Sequence, residues 1–308
     1  MQLDAKQMQA FLAVVDSGSF EKAAERLNVT PSAVSQRIHA LEVRLGRSVV
    51  VRGRPCEPTL AGRKLMLYLR RATVLEEELL NELSGDEQDH LRVVIAVNGD
   101  TLATWFFPAL AEIFVSENIL LDVVVDDQDH TYALLESGQV IGCIGTRSQP
   151  MRGCFAELLG SMRYQLVASP AFQQRWFAKG LTRATARKAP VFAYSRKDTL
   201  QSDFMQSRFG LTADAYPTHY LSLPEARLKA IRRGLGYGMV PHMQVSDLLK
   251  NRELVDVAPN HFTDVELYWH AWELQSPRME MLSERAVHAA RRILSSKVPV
   301  KRSTMSRK

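Results

Sequence analysis

The chain has 308 residues, 46% of them hydrophobic and 24% charged, the make-up of a globular protein with core for two or three domains. No apolar run is long enough to span a bilayer, and the net charge of +5 is concentrated at the ends. Residues 1–75 hold twelve Lys/Arg against six Asp/Glu, residues 76–89 hold seven acids and no base, and residues 291–308 hold seven bases and no acid. A basic N-terminal module ahead of a near-neutral body fits a nucleic-acid binder with an attached sensor.

Residues 5–16 read as a first helix with Met8, Phe11, Leu12 and Val15 on its apolar face. Ser19 caps a second, short helix that turns Ala23, Ala24 and Leu27 inward and places Lys22 within reach of a phosphate. Thr30 caps a third helix with Pro31 at its first position. There Val34, Ile38, Leu41 and Leu45 share one face, with Ser32, Gln36 and His39 opposite and Ser35 on the flank. Small polar side chains on a helix that follows a tight turn can approach a groove and meet base edges. The plain alternative is a helical hairpin with a solvated polar face. Gly46 stops the helix, and two short strands follow, residues 48–51 and a second ending at Pro58. The turn between them carries Arg52 and Arg54, suited to backbone or minor-groove contacts. Thr59 caps a long helix reaching residue 83, where Leu65, Tyr68, Ala72, Leu75 and Leu79 follow a heptad seam. An isolated helix with such a stripe is most simply buried against a second copy of itself. Residues 84–90 are polar and read as a linker.

The run AFLAVVDSGSFEKAAERLNVTPSAVSQRIHALEVRLGRSVVVR, followed by PTLAGRKL, resembles the winged helix-turn-helix of LysR-type transcriptional regulators. The resemblance implies an α/β chain with a winged helix-turn-helix over 1–60 and a dimerising linker helix and hinge over 59–89. It further implies a two-lobed effector domain of the type II periplasmic-binding fold over 90–296. Homodimers or homotetramers and a double-stranded operator as partner follow from the same resemblance, and RNA polymerase stands as a further candidate partner.

The second half agrees with this independently. Residues 91–97, 119–125 and 140–145 read as strands, with helices over LATWFFPALAEIF and 131–137, an alternation that predicts a mostly parallel sheet. Residues 164–168 look like the crossing to a second lobe, which places lobe 1 at about 90–163 and 266–296 and lobe 2 at about 164–265. In lobe 2, residues 191–194, 219–221 and 237–240 read as strands and 198–209 and 225–233 as helices. Residues 267–272 return as a strand, 278–295 form a closing helix, and the basic tail 297–308 is expected to be disordered.

Ligands on such sheets bind outside the carboxyl ends of strands, beside helix N-termini. Thr101 follows the first strand, where its hydroxyl and free N–H groups suit a carboxylate. Asp100 beside it, Asp126 and Asp127 after the second strand, and Thr146 after the third complete the candidate set. An anion end with several carboxylates points to a basic amino acid; the plain alternative is that these acids cap helices or face water. NGDTLATWFFPALA, the VDD triplet and LYWHAW are similar to the ArgP/LysG branch of the LysR family, which implies lysine or arginine as effector. Gly99 and Thr101 depart from that pattern, where Ala and Ser are expected.

Other chemistry finds no support. Gly234–Gly238 lacks the dinucleotide-binding spacing. The eight histidines form no metal-like cluster, and no nucleophile elbow is present. Cys56, Cys143 and Cys154 form neither a disulfide framework nor ligand spacing. No cofactor, metal or catalytic residue is expected. The N-terminus lacks a basic stretch followed by an apolar core, so a cytoplasmic protein is expected. Two other classes remain: a solute-binding or transport protein that shares the effector fold, and a nonspecific DNA-structuring or replication-associated binder.

Overall fold

The computed structural model describes residues 4–84, 90–126 and 131–294. Two compact units make up the chain, residues 1–89 with 133–141 and residues 90–132 with 142–308. Asp127 and the tail from 297 lie outside the described residues.

The first unit opens with helices α1 (Ala5–Ser17), α2 (Phe20–Arg26) and α3 (Pro31–Leu45). Each is started by a side chain that accepts backbone N–H groups: Asp4 from Gln7, Ser19 from Glu21 and Lys22, Thr30 from Ala33. Gly18 and Gly46, both at φ +65°, end α1 and α3. Strands β1 (Val50–Val51) and β2 (Glu57–Pro58) form a two-stranded antiparallel ribbon. Helix α4 (Leu60–Ser84) follows, its first turn capped by Thr59, whose hydroxyl accepts from Gly62 N at 3.0 Å. Phe11, Val14, Val34, Ile38, Leu41 and Val49 form the core together with Met66 and Leu69 of α4. Leu65 packs partly against that core, so it is shared between the winged unit and any seam rather than free for a partner. A Cβ at Gly62 would stand 2.0 Å from the Val49 carbonyl oxygen, so only glycine lets α4 pass this close to the root of the wing.

In the second unit, β3 (Leu91–Val97) leads to α5 (Gly99–Thr101), a π-helical turn (Leu102–Phe106), α6 (Phe107–Ser116) and β4 (Ile119–Val125). Then come α7 (Thr131–Glu136), β5 (Gly142–Gly145), β6 (Cys154–Ala168), α8 (Pro170–Trp176), α9 (Arg183–Ala186) and β7 (Val191–Ala193). The rest is α10 (Leu200–Phe209), β8 (Thr218–Tyr220), α11 (Pro224–Arg232), β9 (Tyr237–Pro241), α12 (His242–Lys250), β10 (Val255–Asp256), β11 (Phe262–Trp272) and α13 (Pro277–Leu294). The strands join one sheet in the order β4-β3-β5-β11-β6-β9-β7-β8, with β10 on β6.

The expectation of a mostly parallel sheet is corrected: β3/β4, β3/β5, β7/β8 and β7/β9 are parallel, but β5/β11, β11/β6, β6/β9 and β6/β10 are antiparallel. Strand–helix alternation is a local signal and holds at the two ends of the sheet. The middle is made by β6 and β11, which begin earlier than the sequence pattern implied; the whole of β11 pairs with residues 154–165 of β6. Their outer stretches alternate buried and exposed residues and only their last residues are continuously buried, so only those last residues read as apolar runs. Helices α8 and α12, which the sequence reading did not assign, cover the β9 end. Trp105, Trp269 and Trp272 are buried in the core.

Candidate functional site

Two surfaces carry chemistry, one in each unit. In the first, α3 turns Val34, Ile38 and Leu41 into the core, which leaves Ser32, Gln36 and His39 exposed and Ser35 half-buried. Thr30 is exposed, and its hydroxyl oxygen is engaged as the cap of α3, 3.2 Å from Ala33 N. Lys22 on α2 is exposed, as are Arg52 and Arg54 on the turn between β1 and β2. The Arg52 guanidinium lies 5.4 Å from the centre of the Phe20 ring, which holds the wing arginine beside the start of α2.

Sequence reasoning missed two acids here. Glu21 is held below the usual carboxylate range by the Ser19 hydroxyl, with a smaller pull from Arg54. Glu42 on α3 accepts from Ser48 Oγ at 2.6 Å, Val49 N at 2.9 Å and Val50 N at 3.4 Å. Burial works to raise its pKa, yet those hydrogen bonds and Arg52 prevail and it ends below its ordinary value. Helix α3 and the root of the wing are thus bonded through one carboxylate.

On α4, Tyr68, Leu75 and Leu79 are 59%, 37% and 55% exposed, and Ala72 is half-buried. Asp16 at the end of α1 pairs with Arg70 of α4 at 2.6 Å and with Arg26 of α2 at 3.4 Å.

In the second unit, a small cavity of about 30 Å³ sits where the first turn after β3 meets the β7–α10 segment and α11. Asp100 and Arg227 are paired there at 2.7 Å, their side chains only 13% and 4% exposed. The Tyr164 hydroxyl donates to Asp100 as well. Burial pushes the Asp100 carboxyl above its ordinary pKa, and Arg227 and Tyr164 offset part of the rise. Asp198 lines the same cavity and accepts from Tyr194 N and Leu200 N, both at 3.0 Å. Gln201 also lines it. The side-chain oxygen of Gln201 accepts from Met239 N at 3.0 Å, while its buried Nε2 has no partner among the described residues.

The expected set is only partly brought together. Asp100 lines the cavity; Thr101, Asp126 and Thr146 do not. Asn98, not Thr101, caps α5, accepting from Thr101 N at 2.9 Å, so the N–H reserved for an anion is already used. Thr101 itself is fully buried, its hydroxyl without a partner among the described residues. Asp126 is exposed at the end of β4 and Thr146 half-buried after β5. The residues missed are Tyr164, Asp198, Gln201 and Arg227. A signal for Arg227 existed: it stands four residues before Ile231, on the stripe that α11 buries. A charge at a core position demands a partner.

Residues 5–63 match the family described as bacterial regulatory helix-turn-helix protein, lysR family, and residues 85–291 match the LysR substrate binding domain. The chain belongs to the LysR family. This LysR-type regulator is 40% identical over 293 residues to the HTH-type transcriptional regulator ArgP of Aeromonas salmonicida, spanning 95% of this chain and 98% of that protein. Among solved structures it is similar to ArgP from Mycobacterium tuberculosis, with TM-score 0.83, 42% identity and coverage of 94% and 98%. It is also similar to full-length LysG from Corynebacterium glutamicum with bound effector Arg, with TM-score 0.76, 32% identity and the same coverages. The regulator therefore combines a DNA-binding winged helix-turn-helix with a two-lobed substrate-binding domain, and its relatives are transcriptional regulators, not enzymes. None of its described helices is long and apolar enough to cross a membrane.

Proposed function

We propose that this regulator senses a basic amino acid, lysine or arginine, in the cavity of its second unit and governs genes for export or metabolism of that amino acid. The observation that carries this reading is the grouping of two carboxylates, Asp100 and Asp198, with one buried guanidinium, Arg227. A zwitterion needs one charge of each sign, and a cationic side chain needs a further carboxylate, because burying it unpaired is far too costly. The similarity to LysG, whose structure carries Arg, supports the same class. We place the side-chain acceptor at Asp198 rather than at Asp126 or Asp127, and leave Thr101 and Thr146 in supporting roles around the binding turn.

On the DNA side, Ser35 and Gln36 read bases with Ser32 and His39 beside them. Lys22, Thr30, Arg52 and Arg54 hold phosphates. The seam Leu65, Tyr68, Ala72, Leu75 and Leu79 joins two copies, so that two half-sites of an operator are gripped by one molecule. The cytoplasm is the compartment this work requires, and RNA polymerase is the partner through which a bound regulator acts.

The test is calorimetry of the full chain against the twenty amino acids. Arginine or lysine binds and the neutral and acidic ones do not; binding of neither overturns the effector class. For the DNA face, Gln36→Ala weakens operator binding by about 1–3 kcal/mol and random DNA little, while Arg52→Ala weakens both alike and lowers the salt slope by about one unit. Equal losses for Gln36→Ala on both DNAs refute the reading face.

A further inference from the structure

The buried ion pair of the second unit has an unusual position. Asp100 stands in the first turn after β3, in one lobe, and Arg227 on α11, in the other. Their contact joins the lobes directly. Beside it the lobes also touch at Gly99, where an added Cβ would lie 3.1 Å from the Pro224 ring. The cavity between them, about 30 Å³, has room for about one water molecule, far below the roughly 300–1,000 Å³ of small-molecule pockets. An amino acid that enters here must part the walls, and the pair is a direct contact holding them together.

Parting a buried ion pair is costly because each charge is left without a partner. A zwitterion removes that cost. Its carboxylate faces the guanidinium and its ammonium faces the carboxylate, so both protein charges stay neutralised. Gln201 adds a second donor on the same wall: its buried Nε2 is unpartnered among the described residues while its oxygen is fixed by Met239 N. We propose that Asp100 and Arg227 are an exchangeable pair: the effector's α-carboxylate takes Arg227 and Gln201, its α-amino group takes Asp100, and the bond between the lobes passes from the side-chain pair to the ligand.

The proposal rests on the reading that an amino acid binds in this cavity, and it adds a specificity. A decarboxylated form such as agmatine or cadaverine carries the amino group and the cationic end of arginine or lysine but no carboxylate. It would pull Asp100 from Arg227 and leave a buried guanidinium unpaired. The regulator therefore rejects the decarboxylated forms of its own effectors.

The experiment is calorimetry of the full chain with L-arginine, L-lysine, agmatine, cadaverine and Nα-acetyl-L-arginine, with folding of each variant checked by thermal melting. Wild type binds L-arginine at least about thirtyfold more tightly than agmatine, the lower end for truncating one side of a buried charge pair. In Arg227→Met, L-arginine weakens by a similar factor and agmatine binds more tightly than to wild type, because Asp100 is no longer held by an internal cation. In Asp100→Asn the reverse holds: L-arginine weakens and Nα-acetyl-L-arginine, which lacks the ammonium, gains. Equal loss of L-arginine and agmatine in Arg227→Met makes Arg227 a merely structural residue and overturns the proposal, as does equal binding of the two by wild type. Should Arg227→Met fail to fold, Asp100→Asn/Arg227→Met removes both charges together; it binds L-arginine and agmatine alike, and retained discrimination refutes the exchange. If wild type instead binds a neutral amino acid, and Arg227→Met abolishes that binding, the basic-effector reading falls and the exchange stands. If wild type binds no amino acid, both fall.

Discussion

Replacing Glu42 by alanine tests how the wing is held to the reader helix. The carboxylate accepts three hydrogen bonds, from the Ser48 hydroxyl at 2.6 Å and the amides of Val49 and Val50 at 2.9 and 3.4 Å. Val49 and Val50 are 0% and 4% exposed, so both amides belong to buried residues. A hydrogen bond to a charged group contributes about 1.5–3 kcal/mol; the 3.4 Å contact adds little, and water reaches the exposed Ser48. The local loss is therefore about 2–4 kcal/mol, which corresponds to an acceleration of amide exchange at Val49 and Val50 of about thirty- to several-hundredfold. Hydrogen exchange read on fragments spanning residues 47–51 measures it, with residues 10–14 of α1 as the unaffected reference. Glu42→Gln keeps an oxygen acceptor without the charge and lies between. Because the folded pKa is lowered from 4.5, the stabilisation is present above that value and is lost as the pH falls through the lowered folded pKa, so wild type converges on Glu42→Ala in acid. A freed wing carries Arg52 and Arg54 with it, and affinity for random DNA falls. Unchanged exchange at Val49 and Val50 in Glu42→Ala, or acceleration spread evenly over the unit, refutes the argument.

Two further outcomes are expected. Leu75→Arg puts an unpaired charge in the seam of α4, where Tyr68, Leu75 and Leu79 are exposed apolar side chains; sedimentation velocity shows monomers, and an intact dimer moves the interface elsewhere. His270 is fully buried, its Nε2 2.8 Å from the Arg147 carbonyl oxygen, and burial lowers its pKa below 6.5. The unfolded chain then binds the extra proton first, so stability of the second unit is complete above about pH 6.5 and is lost as the pH falls below it. Denaturation followed by tryptophan fluorescence reports this unit alone, since all four tryptophans lie in it. His242, also lowered by burial, adds to the same slope, so His270→Phe flattens it in part; a slope identical to wild type shows that His270 does not titrate there.

The winged unit was almost entirely legible in the sequence. Its caps Ser19 and Thr30, its stop at Gly46 and the stripe Val34, Ile38, Leu41 are contacts within one turn of helix or within a short hairpin. Such signals are local, so a linear reading recovers them, together with the polar face that the stripe leaves outward. The family likewise lay in the combined motifs of the first 60 residues. In the second unit most strands and helices were legible for the same reason, though β6 and β11 only at their ends and β10 not at all, but not the direction in which distant strands pair. Only the fold decided that β6 and β11 run antiparallel through the middle of the sheet, since pairing between residues a hundred positions apart leaves no period in the chain. The cavity of the second unit shows the same division. Asp100 was visible as an acid at a strand end, but Asp126 and Asp127 after the second strand looked the better acceptors for a cationic side chain, and Asp126 does not line the cavity. What separates them is Arg227, 127 positions along the chain from Asp100 and 2.7 Å away in space, because a charge acquires its role from the partner the tertiary structure brings to it and not from its neighbours in sequence.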